Sequence, residues 1–203
     1  MRSDFTHDPV AAIDESAAVG DTALVFAEIR RTMDIPPITS IWRGLAGTDD
    51  SLRPVRDASK PIYESGEPER TLARSIAAAN LPSLEPLAPA ALTCIGMTEG
   101  DVRTAQAVIA AYNRSNGLNL MALATFIAPT TTESGAVLTA ASEASPAQWP
   151  PLPPLLPRMA YLRPTLPALS PQALAAITGY VRSPTQVARM VAIGHVLASW
   201  LAR

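Results

Sequence analysis

Apolar residues recur at three- and four-residue spacing along much of the chain and nowhere alternate over a convincing length, so the pattern predicts helices and no sheet. The first periodic run holds Leu24, Val25, Phe26, Ile29 and Met33 behind Asp21, which is placed to cap it. It is predicted to stop at Asp34-Ile35-Pro36-Pro37, because Pro36 biases Ile35 out of the helical region and two prolines offer no amide hydrogens. A short apolar turn, Ile38 to Leu45, follows. Helices are then expected from about Leu52 to Ser65, with a kink at Pro61, and from Glu67 to Ala79, where Leu72, Ile76 and an alanine run form the apolar side. Leu81 to Leu92 reads as a proline-punctuated loop. Thr98 with Asp101 resembles a capping box for a helix whose face holds Val102, Ala105, Val108, Ile109 and Tyr112. The polar island Asn113-Arg114-Ser115-Asn116-Gly117 interrupts the apolar pattern before a second run reaches Ile127, which suggests two buried helices joined by a polar corner.

Beyond Pro129 the periodicity fails. Ten of the twenty prolines lie between Pro129 and Pro171, so this stretch reads as a proline-rich crossover, with Trp149, Leu152, Leu155 and Leu156 apolar enough to dock against something. Ser170 is placed to cap a helix to about Arg182, and Ser183-Pro184 to start another through Trp200. The class is therefore all-α, a bundle of about seven or eight helices. Residues 1–19 form an expected flexible tail and 20–203 a single domain, made of a helical part at 20–128, the crossover at 129–169 and a helical hairpin at 170–203.

Composition narrows the chemistry. With 203 residues, 48% of them hydrophobic, the chain is long enough for one core without a staple, and a net charge of -2 offers no basic field for a nucleic-acid backbone. The sixteen basic residues are fifteen arginines and Lys60, a bias read as codon usage. Cys94 is alone, which excludes an internal disulfide and a CxxC pair and fits a reducing cytoplasm; it reads as a small buried hydrophobe. No apolar run reaches the twenty or so residues a bilayer requires, so a soluble protein is expected, with no membrane partner. His7 falls in the expected tail and His195 on an apolar helix, where a hydrogen-bonded core or interface histidine is the ordinary role. Neither has partners spaced for zinc and no glycine-rich phosphate loop is present, so no metal and no cofactor is expected.

Two places carry polar groups that demand an explanation. Amides and a guanidinium at Asn113, Arg114, Ser115 and Asn116 would be buried among apolar helices, where they serve either a hydrogen-bonded corner or the orientation of a ligand or water. The proline corner from Ile35 to Arg43 sets the hydroxyls of Thr39 and Ser40 and the guanidinium of Arg43 beside Trp42.

At these places the chain resembles a family. The run Phe26-Ala27-Glu28-Ile29-Arg30-Arg31-Thr32-Met33-Asp34-Ile35-Pro36, the corner Ala111-Tyr112-Asn113-Arg114-Ser115-Asn116 and the apolar helix after it look like one repeat of the group I 2-haloacid dehalogenases, also labelled halocarboxylic acid dehydrogenases. The likeness spans about Val19 to Ile127 and continues more weakly over Leu169 to Gly179. It implies an all-α fold of two related halves with the site between them, so one half here implies a two-fold homodimer. It also implies hydrolysis of a small 2-halocarboxylic acid by direct attack of water at the α-carbon. In the family an aspartate activates that water and an asparagine holds it.

Asn116 matches the asparagine, and Ser40 stands where the aspartate belongs, with Thr39 beside it. The resemblance implies a substrate cavity at Pro37, Trp42, Tyr112 and Asn113, and a carboxylate drawn by Arg43 or Arg114. A serine is no useful base near neutral pH, which leaves Asp34 or a carboxylate of the partner subunit to supply one. The alternative is a non-catalytic protein that binds a small molecule or a partner on the same scaffold. A broader likeness of helical shape to carboxymuconolactone decarboxylase and alkylhydroperoxidase proteins meets the lone Cys94 where the peroxidases need a CxxC pair.

Overall fold

The computed structural model describes residues 12–48, 50–127, 167–182 and 184–201. Among these the chain is all-α, with eight α-helices, a short 3-10 turn at Glu15–Ala17 and no strand. The crossover as far as residue 166, with Trp149, Leu152, Leu155 and Leu156, lies outside the described residues, as does His7.

Helix α1 spans Gly20–Met33 and buries Val25, Phe26, Ile29 and Met33, one stripe at helical spacing. Leu24, expected on that stripe, is 64% exposed. Asp21 caps nothing: the N-cap is Val19, and Asp21 sits in the first turn paired with Arg53, whose Nε donates to it at 3.1 Å. The helix stops as its sequence predicts. Asp34 turns left-handed at φ 51°, and the amides of Asp34 and Ile35 both return to the Arg30 carbonyl before the two prolines.

The expected apolar turn after the prolines is a helix, α2, over Ser40–Ala46. Ile38, Ile41, Trp42 and Leu45 are all buried, which is helical spacing compressed into a run too short to announce itself. Helix α3, Leu52–Glu64, holds Pro61 on its exposed side, and the left-handed Gly66 lets α4, Glu67–Ala79, start at once. The wholly buried stripe of α4 is Pro68, Thr71, Ser75 and Ala79, while Leu72 is only partly buried. These small residues let α4 lie close to its neighbour, where Leu72 reaches over Gly117.

The loop expected from Leu81 to Leu92 contains a short helix, α5, at Pro89–Cys94, and Cys94 is exposed rather than buried. Helix α6 runs unbroken over Glu99–Ala124, so the polar island is no corner. Side-chain polarity does not interrupt the backbone ladder; the island marks the passage from a half on the surface to a half, Ser115 to Ala124, that is buried throughout. At about 1.5 Å per residue α6 is roughly 39 Å long, and it packs against α3, α4, α7 and α8.

Helix α7, Pro171–Arg182, buries Ala173, Ile177 and Val181, and Ser170 Oγ accepts from the Ala173 amide at 3.1 Å. Helix α8, Pro184–Trp200, lies on α6 with Gly194 against the Asn113 side chain, and Gln106 donates to the Leu201 carbonyl at 2.5 Å. His195 is half-buried on α8 with Nε2 buried and without a partner among the described residues, and burial pushes its pKa down. Residues 13–18, expected within a loose tail, are tied down. The Ile13 amide donates to the Arg43 carbonyl at 3.1 Å, and Glu15 pairs with Arg30 and accepts from the Ile38 amide at 3.1 Å.

The expected capping box is present. Asp101 N donates to Thr98 Oγ1 at 3.2 Å, and Thr98 N donates to Asp101 Oδ2 at 2.8 Å. These bonds, the Thr98 hydroxyl's first, hold the Asp101 carboxyl below its ordinary pKa. Thr98→Ala is expected to cost about 1 kcal/mol in urea unfolding at neutral pH. A depressed carboxylate stabilises above its unfolded pKa of about 3.9 and loses that contribution as pH falls through the folded value. The deficit of the variant relative to the parent is therefore expected to shrink below about pH 4, and a deficit unchanged there counts against the reciprocal box.

Candidate functional site

The buried half of α6 carries one amide that gathers three other helices. Asn119, wholly buried, accepts at Oδ1 from Trp42 Nε1 at 3.0 Å and from the Tyr63 hydroxyl at 2.9 Å, and its Nδ2 donates to Thr39 Oγ1 at 2.8 Å. An amide has two lone pairs and two N–H groups, so these bonds fill both lone pairs of the oxygen and one of the two N–H groups. The network ties the N-cap of α2, the indole of α2 and the end of α3 to α6. Trp42 and Tyr63 also meet ring to ring, with centroids 6.5 Å apart and planes tilted by 56°.

The titratable members of this network resist ionisation. Burial pushes the Tyr63 phenol well above its ordinary value, and the charges of Tyr180 and Glu69 add to the shift. Burial also raises Tyr180, against a smaller pull from the neighbouring Asn119 amide. The cluster of Thr39, Trp42, Tyr63, Asn119 and Tyr180 is therefore neutral around pH 7 and holds neither a carboxylate nor an imidazole. It can fix geometry; it cannot accept a proton there.

The residues singled out in the sequence divide into three groups. Thr39 and Trp42 belong to the network. Asn116, one turn before Asn119 and 7% exposed, stands at its edge, with the Tyr180 hydroxyl 3.5 Å from both its backbone and side-chain oxygens. Ser40 is exposed at the first turn of α2, outside the network; Tyr112 is 51% exposed, Asn113 lies against Gly194 and Pro37 is half-buried in the corner.

Both candidate carboxylate-binding arginines are committed to backbone. Arg43 donates to the Ile13 carbonyl at 3.1 Å and to Asp14 at 2.6 Å. Arg114 donates to the carbonyls of Met33 and Asp34 at 2.8 and 3.2 Å, where it caps the end of α1. Asp34 itself is exposed.

Sequence reasoning missed Asn119, Tyr63 and Tyr180. Asn119 left a signal, a single polar residue inside the apolar run from Leu118 to Ala124, because a buried amide must find partners. Glu69, in the first turn of α4, has Oε1 3.4 Å from Arg114 and a buried Oε2 without a partner. Among the described residues no group of three or more His, Cys, Asp and Glu is placed to hold a metal, and no helix is long and apolar enough to cross a membrane. Comparison with protein-family models, with curated proteins and with solved structures finds no match.

Asn119→Ala strands a buried indole N–H and two hydroxyls and is expected to cost about 3 kcal/mol or more in urea unfolding. Ser40→Ala, at an exposed position, is expected to stay within about 0.5 kcal/mol; comparable losses at the two positions would contradict the network. A phenol with a raised pKa supports the fold below its ordinary value of about 10, and that support is lost as pH rises toward the folded value. Spectroscopic titration of the four tyrosines is therefore expected to show Tyr63 and Tyr180 ionising only with unfolding. Four phenolates formed on a chain still folded would overturn this.

Proposed function

We propose that the chain is a single-repeat protein of the group I 2-haloacid dehalogenase type, a scaffold that binds a small molecule or a partner and does not hydrolyse it. The observation behind this reading is the 2.8 Å bond between Thr39 and Asn119. It joins the two segments that carry the family likeness, and it does so inside a network whose amide oxygen already accepts two hydrogen bonds and has no lone pair left to hold a water. Ser40, the residue in the place of the family's base, lies outside that network and lacks the chemistry to serve.

One observation favours the hydrolytic reading. Asn116 is buried with only long contacts from Tyr180, so its amide keeps capacity to hold a water, and Glu69 on the adjacent α4 has a buried oxygen to spare. The unit in either reading is a two-fold homodimer, since the resemblance supplies one half of a two-half site. A reducing cytoplasm suits the lone Cys94, which is exposed.

Chloride release from racemic 2-chloropropionate separates the two readings. The full chain at high concentration is expected to release none above buffer. Release that falls by about 10² or more in Asn116→Ala would restore the hydrolase. Sedimentation at micromolar concentration is expected to give the dimer, and a monomer there removes the half-site argument.

A further inference from the structure

Helix α8 is apolar on two opposite sides, and the fold buries only one of them. Residues 190–201 hold no Asp, Glu, Lys or Arg. Val191, Ala192 and Val196 are buried in the fold, where α8 packs on α6. The other side presents Met190, Ile193, Leu197 and Trp200, three and four residues apart and between 36% and 50% exposed. A helix hydrophobic all round is ordinarily covered all round.

The surface half of α6 widens this stripe into a face. Gln106 meets the Leu201 carbonyl and Asn113 meets Gly194, so the two helices lie antiparallel, side by side. Stepping about 100° per residue from these contacts places Tyr112, with Val108 one turn before it, on the flank that carries the α8 stripe. Both are about half exposed. The six side chains offer roughly 600 Å² of surface, the upper end for the largest apolar patch on a monomer. Two such faces together reach roughly 1,200 Å², where the range of stable interfaces begins.

Charge and composition then decide what covers it. The stripe carries no Lys or Arg to hold it to a lipid surface, and it offers no charge by which a foreign protein would be selected. Two copies meet there without bringing like charges together, and a two-fold contact lets each apolar residue of one copy cover one of its mate. Trp, Tyr and Met are also among the residues that interfaces enrich. We infer that this face of α6 and α8 is the contact between two copies of the chain. The homodimer is shared with the function proposed above; its placement stands on this face and not on the haloacid resemblance. The contact seats the second copy one helical turn from Asn116, since Tyr112 precedes it by four residues.

Sedimentation of the full chain at micromolar concentration tests the placement. The parent is expected as a dimer. Leu197→Glu and Leu197→Lys each put like charges into both halves of the contact and are expected to raise the dissociation constant roughly 100-fold or more. An equimolar mixture of the two is expected to restore the dimer, which misfolded chains could not do. Ala198→Glu, at the next exposed position of α8 but off the stripe, is expected to leave the dimer intact. A dimer that survives both Leu197 variants, or variants that stay apart when mixed, overturn the placement while the homodimer stands. A monomeric parent overturns both, as cover by another segment of the chain would give.

Discussion

The fold turns on satisfying one carboxamide. Asn119 sits where α6 is buried on every side, and water is not available to it. Leaving such a group unmet costs about 1–3 kcal/mol for each stranded donor or acceptor, a large fraction of a domain's net stability. The chain meets the demand with an indole, a phenol and a threonine hydroxyl drawn from α2 and α3. Hydrophobic burial alone would let these helices slide or rotate against α6 at little cost. Directional bonds to one amide remove that freedom, because a turn of α2 by one residue would point Trp42 Nε1 into apolar side chains.

This constraint explains what was legible beforehand and what was not. The stop of α1 at Asp34, the span of α4 and the box at Thr98 and Asp101 are local, settled by proline geometry, propensity and capping within a few residues. Three features are non-local. Ser40–Ala46 is too short to stand as a helix in water and forms because Trp42 and Leu45 are fully buried against other elements. The polar island looked like a break because sequence cannot tell a polar residue that ends a helix from one that starts its passage into the core. Asn119 was visible as an oddity, yet its partners lie 56 to 80 residues away, beyond what periodicity reports.

The arginine bias gains a second meaning from the same viewpoint. Arg43 and Arg114 each place a guanidinium on main-chain carbonyls, and Arg114 closes the carbonyl end of α1. A planar fork with five donors serves several acceptors in fixed directions, where an ammonium serves them as a point charge. In a chain whose irregular segments are rich in proline, and so poor in amide donors, side-chain donors of this shape replace bonds the backbone cannot make. The residues that looked like anchors for a carboxylate are thus part of the frame.

What remains is the difference between a polar group that has been spent and one that has not. Binding and catalysis need capacity left over after folding, and the Asn119 oxygen, the hub of the most conspicuous polar feature of the core, has none. Unspent capacity lies at its margins. It is found at Arg56 Nε beside Trp42, at Glu69 Oε2 beside Arg114, and at Asn116 under the long reach of Tyr180. Each is held by a helix that the network itself fixes: α3 through Tyr63, α6 through Asn119 and α4 through its packing on α6. The rigid centre and the open margins are therefore one design, in which a buried, bonded amide holds still the elements that present the unsatisfied groups.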